Sequence, residues 1–168
     1  MPCHKIRYQG KNMTDNQAFK VALLGIPFDD NSSFERGPAL APSKIREVLN
    51  NGSLNGSTEL GINLRESKLW LDAGNVEITS SDNFIENIEQ RCDELLAQNI
   101  RLVTLGGDHS ISYPILKSYH KYFDKLSILH IDAHSDLYDS FKGNRYSNAC
   151  PFARVMEDGL CDRLVQVG

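Results

Sequence analysis

Between Ser127 and Asp139 the chain reads Ser-Ile-Leu-His-Ile-Asp-Ala-His-Ser-Asp-Leu-Tyr-Asp, with the potential metal donors Asp132, His134 and Asp136 at alternate positions. The apolar run Ile128, Leu129 and Ile131 ahead of them has the pattern of a strand buried on both faces. If the backbone stays extended as it leaves that strand, the alternate side chains converge, while Ala133 and Ser135 turn away. Carboxylates and imidazoles without a thiolate suit manganese, iron or zinc better than copper or an iron–sulfur cluster.

A second stretch ends in the same kind of group. Arg101 to Ser110 reads Arg-Leu-Val-Thr-Leu-Gly-Gly-Asp-His-Ser, a short β-type run followed by two glycines that permit a tight turn, then Asp108 and His109. In a parallel sheet the carboxyl ends of all strands share one edge, which is where open α/β sheets hold their ligands. His109 is therefore expected to reach an ion held by Asp132 and Asp136.

Together Gly-Gly-Asp-His-Ser and Asp-Ala-His-x-Asp resemble the two hallmark motifs of the ureohydrolase family, the arginases, agmatinases and their relatives. Further similar segments are Gly25-Ile-Pro-Phe-Asp29, Arg36-Gly-Pro38 with Ala41-Pro42, and Phe152-Ala-Arg154, so the resemblance runs through nearly the whole chain. It implies hydrolysis of a guanidino compound to urea and an amine by two manganese ions about 3.5–4 Å apart, which make water nucleophilic near neutral pH. Carried over residue by residue, His109 and Asp136 belong to one ion, His134 to the other, and Asp132 bridges them as a metal ligand and catalytic residue. Asp108 is expected to orient the site from behind. His130 lies lower on the strand of Asp132 and reads as a core histidine with a satisfied hydrogen bond.

The resemblance also bears on substrate. Tyr138 stands where animal-type arginine-cleaving enzymes use an asparagine to grip the amino-acid carboxylate, and agmatinases resemble this chain there. Plant-type arginases share that Tyr and a Tyr-Ser-x-Ala segment like Tyr146 to Ala149. Agmatine is thus the expected substrate, with guanidinobutyrate or arginine behind it. Two departures stand out. Asn148 occupies the place of a family histidine linked to proton transfer, and an amide cannot carry a proton near neutral pH. The chain also reaches Gly168 before the family's Ser-x-Asp-x-Asp-x-x-Asp-Pro segment, and Asp29, Asp30, Asp158 and Asp162 are not placed to replace it. Two readings follow: part of an active ureohydrolase, or a catalytically silent relative that at most binds a metal or a partner.

The elements that must position these residues alternate. Strands are expected at Val21 to Gly25, Leu69 to Gly74, Arg101 to Leu105, Ile128 to Ile131 and Arg163 to Gly168. Between them lie a helix over Lys44 to Leu49 capped by Ser43, a long helix from Ser81 or Asp82 through Leu96, and one through Ile115, Leu116 and Tyr119. In the first of these helices, Ile45, Val48 and Leu49 form the face expected to lie on the sheet. This is an α/β pattern with a mostly parallel sheet. The resemblance makes it the three-layer αβα fold over residues 19–168, with an arm over residues 1–18. In the family's sheet order, 2-1-3-8-7-4-5-6, the first five strands form a 2-1-3 group and a 4-5 group. The vacant interval between these groups would be roughly 10 Å or more.

With 168 residues and 40% hydrophobic content the chain can bury one core. A net charge of −4 with interspersed signs gives no footprint for nucleic acid or an anionic membrane, and suits a small cationic substrate. No apolar run approaches the roughly 20 residues of a membrane span, and the polar start suggests a cytoplasmic protein. The cysteines at positions 3, 92, 150 and 161 lack paired spacing and read as reduced thiols, Cys150 as a small filler near the site. His4 and His120 are not expected to be ligands. A homo-oligomer is implied by resemblance alone.

Overall fold

The computed structural model describes residues 20–52 and 54–168. The expected arm over residues 1–18, with Cys3 and His4, lies outside them. Strands form at β1 (Lys20–Gly25), β2 (Trp70–Asn75), β3 (Ile100–Leu105), β4 (Ser127–Ile131) and β5 (Arg163–Val167). They alternate with α1 (Ala41–Asn50), α2 (Phe84–Leu96), α3 (Ser112–Tyr122) and α4 (Pro151–Glu157). All strand pairs are parallel: β2-β1-β3 make one sheet, and β4-β5 make a separate one. The fold is α/β, and the 2-1-3 and 4-5 grouping expected from the sequence is the one observed.

Helical periodicity explains the first core. Phe84, Ile88, Cys92, Leu95 and Leu96 recur at three- and four-residue steps on α2 and are buried with Ala22 and Leu24 of β1 and Ile100 of β3. A second core joins Tyr113, Phe152, Val155 and Leu160, with Ile128 and Leu164 of the smaller sheet packed against it. The helix α3 stands between the two. Its Ile115 and Tyr119 pack on the first core, while Tyr113 and Leu116 belong to the second. The relation of the two sheets, and hence of the two motif-bearing strand ends, is therefore set in part by α3.

The first helix departs from expectation. It starts at Ala41 without a side-chain cap, because the 3-10 turn Pro38–Leu40 feeds directly into it and leaves Ser43 inside the first turn. Its Ile45, Val48 and Leu49 remain 36–43% exposed, and Pro42 is the buried residue of the helix. Arg46 links the helix to β2, donating to both carboxylate oxygens of Asp72 at 2.8 to 3.1 Å and to the Gly74 carbonyl at 2.8 Å. No helix among the described residues is long and apolar enough to cross a membrane.

Candidate metal centre

The end of β3 is built for close approach. A side chain at Gly107 would collide with the Phe28 carbonyl oxygen, so only glycine lets this turn lie against the loop after β1. The Asp108 N–H then donates to the Phe28 carbonyl at 2.8 Å. Buried Asp108 accepts from the Ser110 N–H at 2.9 Å and hydroxyl at 2.5 Å through one oxygen, and from the Asn31 N–H at 3.1 Å through the other. Burial pushes its carboxyl above the usual range, opposed by these bonds. It caps the 3-10 turn His109–Ile111 by accepting the Ser110 N–H, and so holds the turn that carries His109.

At the end of β4 the Asp132 N–H still donates to the Val167 carbonyl at 3.0 Å, so β5 holds the base of the loop. Beyond that the chain bends. Asp132 accepts the His134 N–H through Oδ1 at 2.9 Å, a local Asx turn. That bond is the largest cause holding the Asp132 carboxyl below its usual range. Asp136 lies in left-handed backbone with φ 51°. The extended exit expected from the sequence is thus replaced by a curl, and the curl returns Asp136 to the sheet edge. Its Oδ2 lies 2.5 Å from His109 Nδ1, and Asp132 Oδ2 lies 3.9 Å from the same nitrogen.

One donor atom each from His109, His130, Asp132 and Asp136 lies within 4.8 Å of the others. The strand ends therefore bring together three of the expected ligands. His134 is different: its side chain is 82% exposed, with Nδ1 3.3 Å from Asp132 Oδ1, because the Asx turn directs its ring outward at the rim. The fourth group within 4.8 Å is His130. It is buried as expected, but only half satisfied: Nδ1 meets Gln166 Nε2 at 3.0 Å, while Nε2 has no hydrogen-bond partner among the described residues. The signal for it was in the sequence, since His130 and Asp132 share a strand face.

Asn148 borders a cleft of about 470 Å³ with His109, Gly107, Ser32 and Glu35. Its side-chain oxygen accepts the Ser33 N–H at 2.9 Å, and its own N–H donates to the Asn31 carbonyl at 3.1 Å, so it ties the two loops that flank the cleft. Tyr138 is exposed. Asp158 and Asp162 serve the scaffold, accepting from the Tyr113 hydroxyl at 2.6 Å and the Leu126 N–H at 3.0 Å. His120 Nδ1 faces the Leu160 carbonyl at 3.1 Å, away from the cluster. Cys92, Cys150 and Cys161 are free thiols, and burial raises the pKa of each, that of Cys92 to about 12.

The arginase family's sequence profile matches residues 19–168. The chain is 43% identical over 157 residues to arginase 1, mitochondrial, of Arabidopsis thaliana, covering 88% of this chain and 46% of that one. It is 35% identical to guanidinobutyrase of Pseudomonas aeruginosa, over 90% of this chain and 48% of that one. The solved arginase from Medicago truncatula superposes with a TM-score of 0.81 at 40% identity, covering 90% of this chain and 50% of that one. The chain spans about half the length of these relatives.

Proposed function

The chain belongs to the arginase family, and from that premise we propose that it supplies the His109, Asp132, His134 and Asp136 side of a manganese-dependent amidinohydrolase that releases urea from a small cationic guanidino compound. The observation that carries this reading is the convergence of His109, Asp132 and Asp136 from two separate sheets onto one point. The donors fit the ion: His109, Asp132 and Asp136 offer one imidazole and two carboxylates, without a thiolate, at one sheet edge. When bound, manganese supplies the Lewis acidity that makes water nucleophilic near neutral pH.

The protein's own groups do the rest. Asp108 holds the turn that aims His109, and Asn148 joins the loops that form the cleft beside it. His134 lies at the rim, 3.3 Å from Asp132 through Nδ1, and is the residue that would contribute to holding a second ion. Tyr138 favours agmatine, and the likeness to the plant arginase favours arginine. A second reading, a metal-binding chain with little turnover, is favoured by Asn148, whose side chain offers no titrating proton at the cleft.

Manganese titration of the full-length protein, with urea release measured from agmatine, arginine and 4-guanidinobutyrate, tests both. Manganese binding that is lost in His109→Ala and Asp136→Ala, together with urea from at least one substrate, is the expected result. Binding without urea leaves the second reading standing. No manganese binding overturns both.

A further inference from the structure

Buried His130 offers a ring nitrogen to the cluster, and two roles are open to such a nitrogen: a lone pair for the metal or a proton for a ligand. The surroundings decide between them. The side-chain nitrogen of Gln166 lies 2.6 Å from the Ser135 carbonyl oxygen and 3.0 Å from His130 Nδ1. A carbonyl only accepts, so the end of the amide facing Ser135 is its NH2 group. That group has two hydrogens, one for Ser135 and one for the ring, which makes Nδ1 an acceptor. A neutral imidazole whose Nδ1 accepts carries its proton on Nε2, and a protonated ring nitrogen has no lone pair for an ion.

The proton on Nε2 points at the metal centre from the side of Asp132, whose Oδ2 lies 3.7 Å away. That is longer than a hydrogen bond, but a modest rotation of the carboxylate, or one water, closes it. The other oxygen, Oδ1, is already held by the His134 N–H. The positions of both partners are set by the sheet, because His130 and Gln166 are opposite residues in the β4–β5 register. The ring is held further by Phe152, with centroids 4.2 Å apart. Gln166 thus joins three places at once: the β5 strand, the His130 ring and the loop at Ser135 that curls back to Asp136.

We propose that His130 is a positioning residue that donates from Nε2 to Asp132, kept in that tautomer by Gln166, and that it is not a ligand of the metal centre. This rests on the reading of His109, Asp132 and Asp136 as metal ligands. Backing groups of this kind change metal affinity about 10–100-fold when removed.

Two measurements on the full-length protein test it. In a long-range proton–nitrogen NMR spectrum of the metal-free protein, the His130 ring is expected to show the pattern of the Nε2–H tautomer, and Gln166→Leu is expected to turn this into a mixture. An Nδ1–H pattern in the wild type overturns the proposal. In manganese titrations, His130→Gln, whose amide keeps a donor near the Nε2 position, is expected to bind within about threefold of the wild type, whereas His130→Phe loses about tenfold or more. Equal losses in both variants identify a ligand and overturn the proposal, as does wild-type affinity in His130→Phe. Circular dichroism checks that each variant is folded, and if His130→Phe is not, the tautomer measurement decides. A wild type that binds no manganese sinks the metal-centre reading itself, whereas intact binding with the wrong tautomer sinks only the role of His130.

Discussion

Asp136 meets two demands in one residue: its carboxylate lies against His109, and its backbone is left-handed at φ 51°. That conformation costs an ordinary residue roughly 1–2 kcal/mol and is best tolerated by Gly, Asn and Asp. Asp136→Asn therefore separates the two demands, because it keeps a side chain suited to the turn and removes the charge. We expect its thermal midpoint to stay within a few degrees of the wild type while manganese affinity, followed by titration, falls at least about 100-fold, more than loss of a backing group costs. Asn148 is the other informative residue. A histidine there can accept the Ser33 N–H through Nδ1, as the amide oxygen now does, and present Nε2 to the cleft. If proton delivery limits turnover, Asn148→His raises kcat and gives it a pH dependence centred near the ordinary histidine value of about 6.5. An unchanged kcat across that range would show that solvent delivers the proton.

Among the elements, α1 is tethered more by charge than by apolar packing. Its Arg46 grips Asp72 on β2, and this hydrogen bond is the largest cause holding the Asp72 carboxyl below its usual range. The linkage has a definite sign. A carboxyl whose pKa is depressed by folding adds stability above its unfolded pKa of about 3.9, and that stability is lost as the pH falls toward the folded value. Asp72→Asn should thus be less stable than the wild type at pH 7, and the difference should shrink below about pH 4. Because Asp72 is partly open to solvent, the expected gap at neutral pH is only of order 0.5–1 kcal/mol. Urea denaturation at several pH values measures it, and a gap that widens in acid would show that Arg46 acts through packing instead.

For the whole molecule, the two sheets differ in how well they are covered. In the larger one, β1 is paired on both sides, and Ala22 and Leu24 are fully buried. In the smaller one Leu129 is 64% and Ile131 76% exposed, and a lone two-stranded pair is at best marginally stable in water. The chain should show strong amide protection along Val21 to Leu24 and fast exchange along Ile128 to Ile131. Equal protection of both stretches in a soluble monomer would show that α3 is enough to hold the second sheet. Much of this architecture could be read from the chain itself. Alternating strand and helix signals set the class, and the two motif-bearing strand ends placed His109, Asp132 and Asp136 on one edge, because parallel strands all end on the same side. Periodicity says which face a residue occupies only while the backbone stays regular, so it could not foresee the turn at Asp132 that sends His134 outward and brings Asp136 back. It also could not place α1, whose apolar face stays partly exposed while a distant charge, Asp72, holds it to the sheet. The role of His130 lay further still from sequence logic. The location of its proton is decided by Gln166, far along the chain and brought opposite only by the register of β4 and β5, and such a partner exists only once the strands have paired.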